Sequence, residues 1–275
     1  MHPQYSDTLT TPDDRGLHCR WWGDDDPALA FVVVHGLGEH SGWYQDFGQR
    51  MQSLGRGVLA YDQHGHGKSP GRRGDAPSFD LLVDDIAVAL HAAQQKWPRA
   101  ELMLLGHSLG GALVLHHLLD RDGRRVERAV MTNPMILPPD PPTKPQAFAA
   151  WLTSKWIPHW RMSAGIEPEE LTQDTEVLRR LANDPLVHEK LSIGIGGHLV
   201  SQGHWLVENA AKLSCKLLLL VGEEDTLCDT QTSKAFADRA GDLCQRIDFP
   251  GLRHNLLLEK DRQVVYQGIE DWLAG

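Results

Sequence analysis

The sequence predicts an α/β fold built on a doubly wound, mostly parallel β-sheet with one helical insertion. The first observation is a series of short apolar runs, each of a length suited to a strand that is buried on both faces. The second is that segments with a helical apolar period lie between these runs, as in sheets whose parallel strands are joined by crossover helices. The third is that this alternation stops near residue 134 and resumes near residue 215.

The predicted elements follow one another with short connections. A hairpin of residues 5–10 and 17–22 opens the chain, because the segment 12–16, Pro-Asp-Asp-Arg-Gly, is typical of a turn. Further strands are predicted over 28–34, 57–61, 101–105, 126–132, 215–221 and 245–249. Helices are predicted over 43–54, 79–97, 109–119, 230–240 and 262–273. The strongest of these, 79–97, is ended by Pro98.

The segment between the two halves of the predicted sheet has a different composition. It contains five prolines between 138 and 145, followed by a stretch rich in tryptophan with helical patterning and no clear strand. One core interrupted by an insertion explains the length of 275 residues better than two tandem domains do. We therefore expect an α/β core of residues 1–134 and 206–275 and a helical cap or lid of residues 135–205.

The composition of the chain argues against several classes of function. Lys and Arg number 27 against 37 Asp and Glu, and the net charge of −10 disfavours nucleic acids and anionic membrane surfaces as partners. The apolar run 216–221 is far shorter than the roughly 20 residues that a membrane-spanning helix needs. No signal-peptide pattern opens the sequence, and the four cysteines are scattered. These features predict a protein with reduced thiols in the cytoplasm.

A nucleophile is predicted at Ser108. It stands in the pentapeptide 106–110, Gly-His-Ser-Leu-Gly, which directly follows a predicted strand and precedes a predicted helix. A sharp strand-to-helix turn needs glycine on both sides of the serine, because side chains there would clash with the neighbouring strand and helix. The free N–H groups of the helix N-terminus favour negative charge at the same point. This context favours a catalytic serine over a glycine-rich turn with an incidental serine.

A base for Ser108 is predicted at His254. A serine hydroxyl is a poor nucleophile until a base removes its proton, and in strand–serine–helix enzymes of this kind the partners follow in the order serine, acid, histidine. Of 15 histidines, His254 alone lies beyond the predicted strand 215–221, whose following loop should carry the acid. It follows the last predicted strand, so we expect it at the same edge of the sheet as Ser108.

The loop 222–229 offers four carboxylates for the acid. Glu223 and Glu224 come early in the turn and are readily interpreted as solvated charge. Asp229 precedes a predicted helix, where an aspartate most often caps the helix. Asp225 is therefore the best candidate to accept the histidine N–H and hold its tautomer, with Asp229 or a glutamate as the alternative.

Two backbone N–H groups should stabilise the negative charge that develops on the substrate oxygen. One is expected from Leu109, the residue after the nucleophile. The other is expected from the loop 35–38, His-Gly-Leu-Gly, with Leu37 as the donor, because its glycines let the backbone approach an ester closely. His64 and His66 lie two residues apart without a third ligand near them in sequence, so a structural turn is favoured there over a metal site.

Three segments carry a resemblance to a known family. They are His-Gly-Leu-Gly-Glu-His-Ser-Gly-Trp-Tyr at 35–44, Tyr-Asp-Gln-His-Gly-His-Gly-Lys-Ser-Pro-Gly at 61–71, and Gly-His-Ser-Leu-Gly-Gly at 106–111. They resemble the monoacylglycerol lipase and lysophospholipase-like branch of the α/β-hydrolase superfamily. The segment 61–71 is the most specific of the three. In the insertion, only the segment 183–187, Asn-Asp-Pro-Leu-Val, resembles that family.

The resemblance implies an α/β-hydrolase fold and a site that needs no cofactor and no metal ion. It implies a triad of Ser108, Asp225 and His254. It also implies an oxyanion hole formed by the amides of Leu37 and Leu109. The insertion corresponds to the cap of that family, which shapes the acyl pocket. Because the insertion shows little of the resemblance, the substrate is the property that the resemblance determines least.

The reaction implied is hydrolysis of a carboxylic ester through an acyl-enzyme on Ser108. Monoacylglycerol or another single-chain lipid ester is the expected small-molecule substrate, and a carboxylesterase for small soluble esters and a lysophospholipase are alternatives. A peptidase is not favoured, because the insertion shows no evident acidic pair for an amine. A catalytically silent binding protein of the same fold would be expected to have lost a triad member, and all three positions are filled. The sequence indicates no oligomeric state.

A tryptophan-rich stretch at 148–160 bears on the substrate. One helical face carries its large apolar side chains: Phe148, Trp151, Leu152, Trp156 and Ile157. This face either packs on the core, lines an apolar acyl tunnel above Ser108, or makes transient contact with a membrane or lipid interface, where amphipathic tryptophan is favoured. An acidic chain gains little from anionic lipid, so such contact should depend only weakly on salt.

Overall fold

A mixed sheet of eight strands lies at the centre of the computed structural model, which describes residues 5–121 and 126–275. The strands are β1 (Tyr5–Thr10), β2 (Gly16–Trp22), β3 (Leu29–Val34), β4 (Gly57–Tyr61), β5 (Glu101–His107), β6 (Arg128–Thr132), β7 (Arg161–Ser163), β8 (Lys190–Ser192), β9 (Lys216–Gly222) and β10 (Cys244–Phe249). The helices are α1 (Gln45–Ser53), α2 (Phe79–Lys96), α3 (Leu109–Asp120), α4 (Lys144–Ser154), α5 (Pro168–Leu171), α6 (Thr175–Ala182), α7 (Ile193–Asn209), α8 (Thr230–Ala240) and α9 (Arg262–Ala274).

The central sheet has the strand order β1-β2-β4-β3-β5-β6-β9-β10. The pairs β1–β2 and β2–β4 are antiparallel, and the later pairs along the sheet are parallel. Because side chains alternate along a strand, Val32 and Leu104 face the layer that contains α2 and α3. Val33 and Leu105 face the opposite layer, which contains α1 and α9. Apolar helices therefore cover both faces, and the predicted doubly wound sheet is confirmed.

The elements of the sheet and its helices match the predicted ones closely. β1, β4 and α8 have the predicted bounds, and the other predicted elements differ by at most two residues at either end. The strands β7 and β8 were not predicted. They form a small antiparallel sheet in which Met162 lies opposite Leu191. Three residues are too few for an alternating pattern to be visible in the sequence.

Helix α7 crosses the predicted boundary between cap and core. It continues from the insertion, residues 135–205, to Asn209, and α4 packs against it. Leu206 near its end is buried in the same apolar layer as α2 and α3. The division of the chain at residues 205 and 206 therefore falls inside one continuous helix, which fastens the insertion to the core.

An aromatic cluster joins α7 to that core. His116 on α3 stacks on Trp205 with ring centroids 5.1 Å apart and meets the ring of Phe79 edge-on at 5.1 Å. Burial, together with the neighbouring His198, lowers the pKa of His116 to about 4. The imidazole is therefore neutral in the folded protein at neutral pH, as its stacked position requires.

Acidification is expected to destabilise the protein through this cluster. The pKa of His116 is depressed on folding, so its stabilising contribution is present above the ordinary value of 6.5 and is lost as pH falls towards about 4. The free energy of unfolding, measured with urea, should fall between pH 7 and pH 5. His116→Phe should make that fall shallower, by up to about 1.4 kcal/mol per pH unit. His91→Gln, at an exposed position on α2, is the matched control. Equal pH slopes for the wild type and His116→Phe would contradict this assignment.

Candidate active site

Ser108 occupies a strained turn between β5 and α3. Its φ is +51°, in the left-handed region that residues with side chains rarely adopt. Hydrogen bonds fix the turn on both sides. Its N–H donates to the Thr132 carbonyl at 3.1 Å, and its carbonyl accepts from the N–H groups of Ala112 at 3.1 Å and Met135 at 2.9 Å. Strain that is held in place in this way is common at catalytic positions.

The glycines around Ser108 are required by close packing. A Cβ on Gly110 would lie 2.0 Å from the carbonyl oxygen of Val34, and one on Gly106 would lie 2.8 Å from the carbonyl oxygen of Gly110. A Cβ on Gly36 would lie 3.2 Å from the Cβ of Ser108. The loop that follows β3 therefore lies directly against the serine, as the prediction for Leu37 requires. Leu109 is the first residue of α3.

His254 and Asp225 form a buried pair. The Nδ1 of His254 lies 2.9 Å from the Oδ2 of Asp225, and the Asp225 side chain is fully shielded from solvent. A carboxylate can only accept, so Nδ1 carries the proton and Nε2 is left as the basic nitrogen. The other oxygen of Asp225 accepts from the N–H groups of Leu227 at 2.8 Å and Cys228 at 3.1 Å. These bonds fix the carboxylate against the imidazole.

The other carboxylates of the loop do not contact His254. Asp229 caps α8, where it accepts from the backbone N–H groups of Gln231 and Thr232 at 3.1 Å each. Glu223 and Glu224 are exposed. Of the four carboxylates considered from the sequence, the structure brings Asp225 to the histidine.

Ser108 and His254 line one cavity of about 280 Å³. Its apolar wall consists of Leu37, Ile166, Leu171, Leu181 and Val187. Three carboxylic side chains also line it: Glu39, Glu167 and Glu189. Among the described residues, no lysine or arginine lines the cavity. Most of the wall opposite the serine thus comes from the insertion, between residues 166 and 189.

The tryptophan-rich stretch lies elsewhere. No described residue of 148–160 lines this cavity, so the acyl tunnel, one of the three alternatives for its apolar face, is not seen here. Trp151 is half-buried, with the Lys155 ammonium 3.7 Å from its ring centroid. The outward-facing surface around α4 and β7, which we call the cap patch, has the following exposed side chains: Phe148, Leu152, Trp156, Ile157, Trp160 and Met162. The helical period predicted that several of these residues share a face, but it could not predict which way that face points.

Asn133, which the sequence did not mark as a site residue, connects the loops around His254. Its side-chain amide donates to the carbonyl oxygens of His254 at 2.7 Å and Arg253 at 3.1 Å, and its Oδ1 accepts from the Gly222 N–H at 2.9 Å. Its φ is +41°. The one sequence signal was its place directly after a predicted strand, at the edge where Ser108 was expected.

Cys228 is a second neighbour that was missed. Its thiol is 3.5 Å from the Asn133 carbonyl oxygen and contacts the Ser108 hydroxyl. Among the described residues, Asp225, Cys228 and His254 are the group whose ligand atoms could hold a metal ion, all within 4.8 Å of one another. However, burial and nearby Asp225 raise the pKa of the thiol well above its usual value, and the other two side chains are bonded to each other. The arrangement therefore fits an acid–base pair better than a metal site.

Comparison with known proteins agrees with this geometry. The family model described as Serine aminopeptidase, S33, matches residues 25–261. The chain belongs to this family. The crystal structure of Paleococcus ferrophilus monoacylglycerol lipase superposes with a TM-score of 0.83 and 26% sequence identity, over 94% of this chain and 98% of that one. The predicted α/β-hydrolase fold is confirmed.

Relatives in the family include lipases. A monoacylglycerol lipase of Mycolicibacterium smegmatis is 28% identical over 257 residues, which cover 92% of this chain and 91% of that protein. An uncharacterized abhydrolase domain-containing protein of Dictyostelium discoideum is 32% identical over 232 residues, 84% of this chain, but the match spans only 24% of that longer protein. The protein is thus a member of a hydrolase family with lipase relatives. Among the described residues, no helix has the length and apolar character needed to cross a membrane.

Proposed function

We propose that the protein hydrolyses neutral single-chain lipid esters, monoacylglycerols above all, through an acyl-enzyme on Ser108. The observation that carries this proposal is a single cavity that joins a strained serine and a histidine–aspartate pair to an apolar wall. The lipase relatives support the choice of a lipid ester. In the proposed arrangement the insertion serves as the cap over the site.

The geometry supports the following sequence of steps. The Ser108 oxygen attacks the ester carbonyl carbon while Nε2 of His254 takes the hydroxyl proton, and the same nitrogen returns the proton to the leaving alcohol. Water, activated by His254, then releases the fatty acid. Asp225 holds the imidazole and stabilises its protonated form. The N–H groups of Leu37 and Leu109 bind the oxyanion of both tetrahedral intermediates.

The charge of the cavity favours a neutral alcohol group over an anionic one. Glu167 and Glu189 are exposed at its rim, and no lysine or arginine is among the described lining residues, although Lys190, outside the lining, places its ammonium 3.8 Å from Oε1 of Glu189. His188 adds no positive charge, because burial and nearby Arg73 lower its pKa to about 4. A phosphate-bearing lysophospholipid would therefore bind against a field of like charge.

The same rim gives a second candidate function. Glu167 and Glu189 supply the acidic pair that the sequence analysis did not find in the insertion, and two carboxylates at a cavity mouth suit a protonated amine. Because the matched family is described as a serine aminopeptidase, aminopeptidase activity has to be compared with ester hydrolysis. Aminoacyl p-nitroanilides tested beside the esters decide between the two. Faster turnover of the anilides would overturn the lipid-ester proposal.

The size of the cavity predicts a dependence on acyl length. At about 30 Å³ for each water-sized group, it accepts about nine methylene groups. kcat/KM for 1-monoacylglycerols and for p-nitrophenyl esters should rise from acetyl to about ten carbons, by up to about 0.8 kcal/mol for each buried CH₂, and then level off. Val187→Phe, which reduces the cavity, should shift the optimum to shorter chains and retain acetate hydrolysis. A wild-type optimum at acetate would favour the small-ester enzyme.

We also propose that the cap patch makes transient contact with uncharged lipid surfaces. Its six side chains are apolar and exposed on a protein of net acidic charge, and two of them are tryptophans, which suit the lipid–water boundary. His159 lies within the patch segment and pairs with buried Asp75 at 3.2 Å, so the segment is connected to the core.

Removing the two exposed rings is expected to weaken this contact. The double variant Trp156→Ser/Trp160→Ser should bind phosphatidylcholine vesicles several-fold less than the wild type in a sedimentation assay, because less apolar area enters the interface. Hydrolysis of soluble p-nitrophenyl butyrate should not change. Val264→Ser, at an exposed position on α9, is the matched control. Vesicle binding that persists in the double variant, or that disappears with moderate salt, would contradict the proposal.

A further inference from the structure

Glu39 is a buried carboxylate at the inner end of the cavity. It lies between β3 and the short 3-10 helix Ser41–Tyr44 and is only 7% exposed. One of its oxygens accepts from the Gly36 N–H and the Tyr44 hydroxyl, each at 3.0 Å. The other accepts from the side-chain amide of Asn255 and lies 3.6 Å from Nε2 of His107. The steps described above assign no role to this group.

A carboxylate is costly to bury, so its partners are informative. Burial opposes ionisation of Glu39, but the imidazoles of His107 and His35 and the hydrogen bond from Gly36 outweigh it and hold the pKa below its usual value. Three of its partners adjoin different parts of the predicted machinery. Gly36 precedes Leu37, Asn255 follows His254, and His107 precedes Ser108.

The hydrogen bond from the Gly36 N–H connects Glu39 to the loop that carries the predicted oxyanion donor Leu37. Gly36 packs against Ser108, and its N–H, in the peptide that precedes it, is held by the Glu39 side chain. The carbonyl of Gly36 belongs to the peptide that carries the Leu37 N–H. This carbonyl accepts from the Glu39 N–H at 3.4 Å and lies 2.7 Å from Nδ1 of His35. Loss of the carboxylate would leave the Gly36 N–H without this partner and loosen the loop on one side of the Leu37 peptide.

We propose that Glu39 is a positioning residue that keeps the loop 36–38 in the conformation able to bind the oxyanion. It acts through the Gly36 N–H and does not touch the reacting atoms. The proposal rests on the acyl-enzyme chemistry proposed for Ser108, but not on the choice of a lipid substrate. Because the oxyanion exists only after attack, weakening of the hole should lower kcat and leave ground-state binding unchanged.

The test compares Glu39→Gln and Glu39→Met with the wild type on p-nitrophenyl butyrate, because the glutamine oxygen can still accept from the Gly36 N–H whereas methionine offers that N–H no oxygen. Loss of one oxyanion donor lowers kcat by about 10²- to 10³-fold in other enzymes. Misorientation of one donor should lower it by about 10- to 100-fold here, with KM within about twofold. The Ki of an alkyl trifluoromethyl ketone, whose hemiketal oxyanion occupies the hole, should rise in parallel with the loss in kcat/KM. The Ki of the corresponding alcohol, which forms no oxyanion, should not change.

Two further variants keep the test decisive. Tyr44→Phe removes one hydrogen bond from the same carboxylate oxygen. If Glu39→Gln does not fold, Tyr44→Phe should show the same pattern with smaller changes: a lower kcat with unchanged KM, and a higher Ki for the ketone but not for the alcohol. Asp85→Asn alters another buried carboxylate, which lies on α2 and is paired with Arg15, and should affect stability without changing the ratio of the two Ki values.

The outcomes separate this proposal from the one on which it rests. A wild type that does not react with a fluorophosphonate would refute acylation of Ser108 itself. Normal labelling of the wild type, with equal changes in both Ki values or a rise in KM alone for Glu39→Gln and Glu39→Met, would refute the role of Glu39.

Discussion

Ser108→Ala is expected to lower kcat for p-nitrophenyl butyrate by about 10⁶-fold, the loss seen when the nucleophile of a serine hydrolase is removed. No second hydroxyl is predicted to replace it at the turn between β5 and α3, and without an acyl-enzyme only direct attack by water remains. Hydrolysis is measured with a chromogenic ester. Covalent labelling is measured as the mass that a fluorophosphonate adds to the wild type at Ser108.

A matched serine controls for packing. Ser233 on α8 is buried but lies outside the cavity, so Ser233→Ala should keep both labelling and hydrolysis. The strained backbone at residue 108 is the same with alanine, so the thermal midpoint of Ser108→Ala should stay close to that of the wild type. Labelling of Ser108→Ala at another residue, with hydrolysis retained, would refute the assignment.

The sheet and the elbow could be predicted because their determinants are local. The run 57–61 is apolar throughout and is bounded by loop residues, so β4 is visible without knowledge of its neighbours. Gly106 and Gly110 mark the elbow because each faces backbone atoms at a distance where no Cβ fits. The chain order of serine, acid and histidine then selected His254 without any structural knowledge.

The network behind the site could not be predicted, because its contacts join distant parts of the chain. Glu39 and Asn255 are 216 positions apart, and Asn133 and Gly222 are 89 apart. No periodicity links such pairs. Glu39 and Asn133 each fit an ordinary loop when considered alone, and their partners appear only when the loops that follow β3, β6, β9 and β10 meet at one edge of the sheet.

The insertion was the least predictable segment for a different reason. Two of its helices are short: α5 has four residues and α6 has eight. Its cavity wall comes from scattered positions between 166 and 189, where no regular period marks the inward side. The residues of the cap patch are of the same apolar types as the residues on a buried helix face. Exposure of that face is decided by how α4 packs on α7, and the sequence does not encode this in a readable pattern.

Asp225→Asn is expected to lower kcat by about 10³- to 10⁴-fold, although the substitution changes only one atom of the side chain. The asparagine can present an N–H to Nδ1 of His254, which favours the tautomer with its proton on Nε2, the wrong nitrogen for a base. It also removes the negative charge that stabilises the imidazolium. The measurement is kcat for p-nitrophenyl butyrate in the variant and the wild type, with KM expected to change little.

Asp229→Asn is the same chemical change four residues along the same loop. Asp229 caps α8, and asparagine caps a helix about as well as aspartate, so kcat and the free energy of unfolding should both stay close to wild type. Asp229→Ala should lower that free energy by about 1 kcal/mol and still leave kcat unchanged. A large loss of kcat at 229 with little loss at 225 would reassign the acid. Equal large losses at both positions would show that the loop, and not the bond from Asp225 to His254, is what the activity requires.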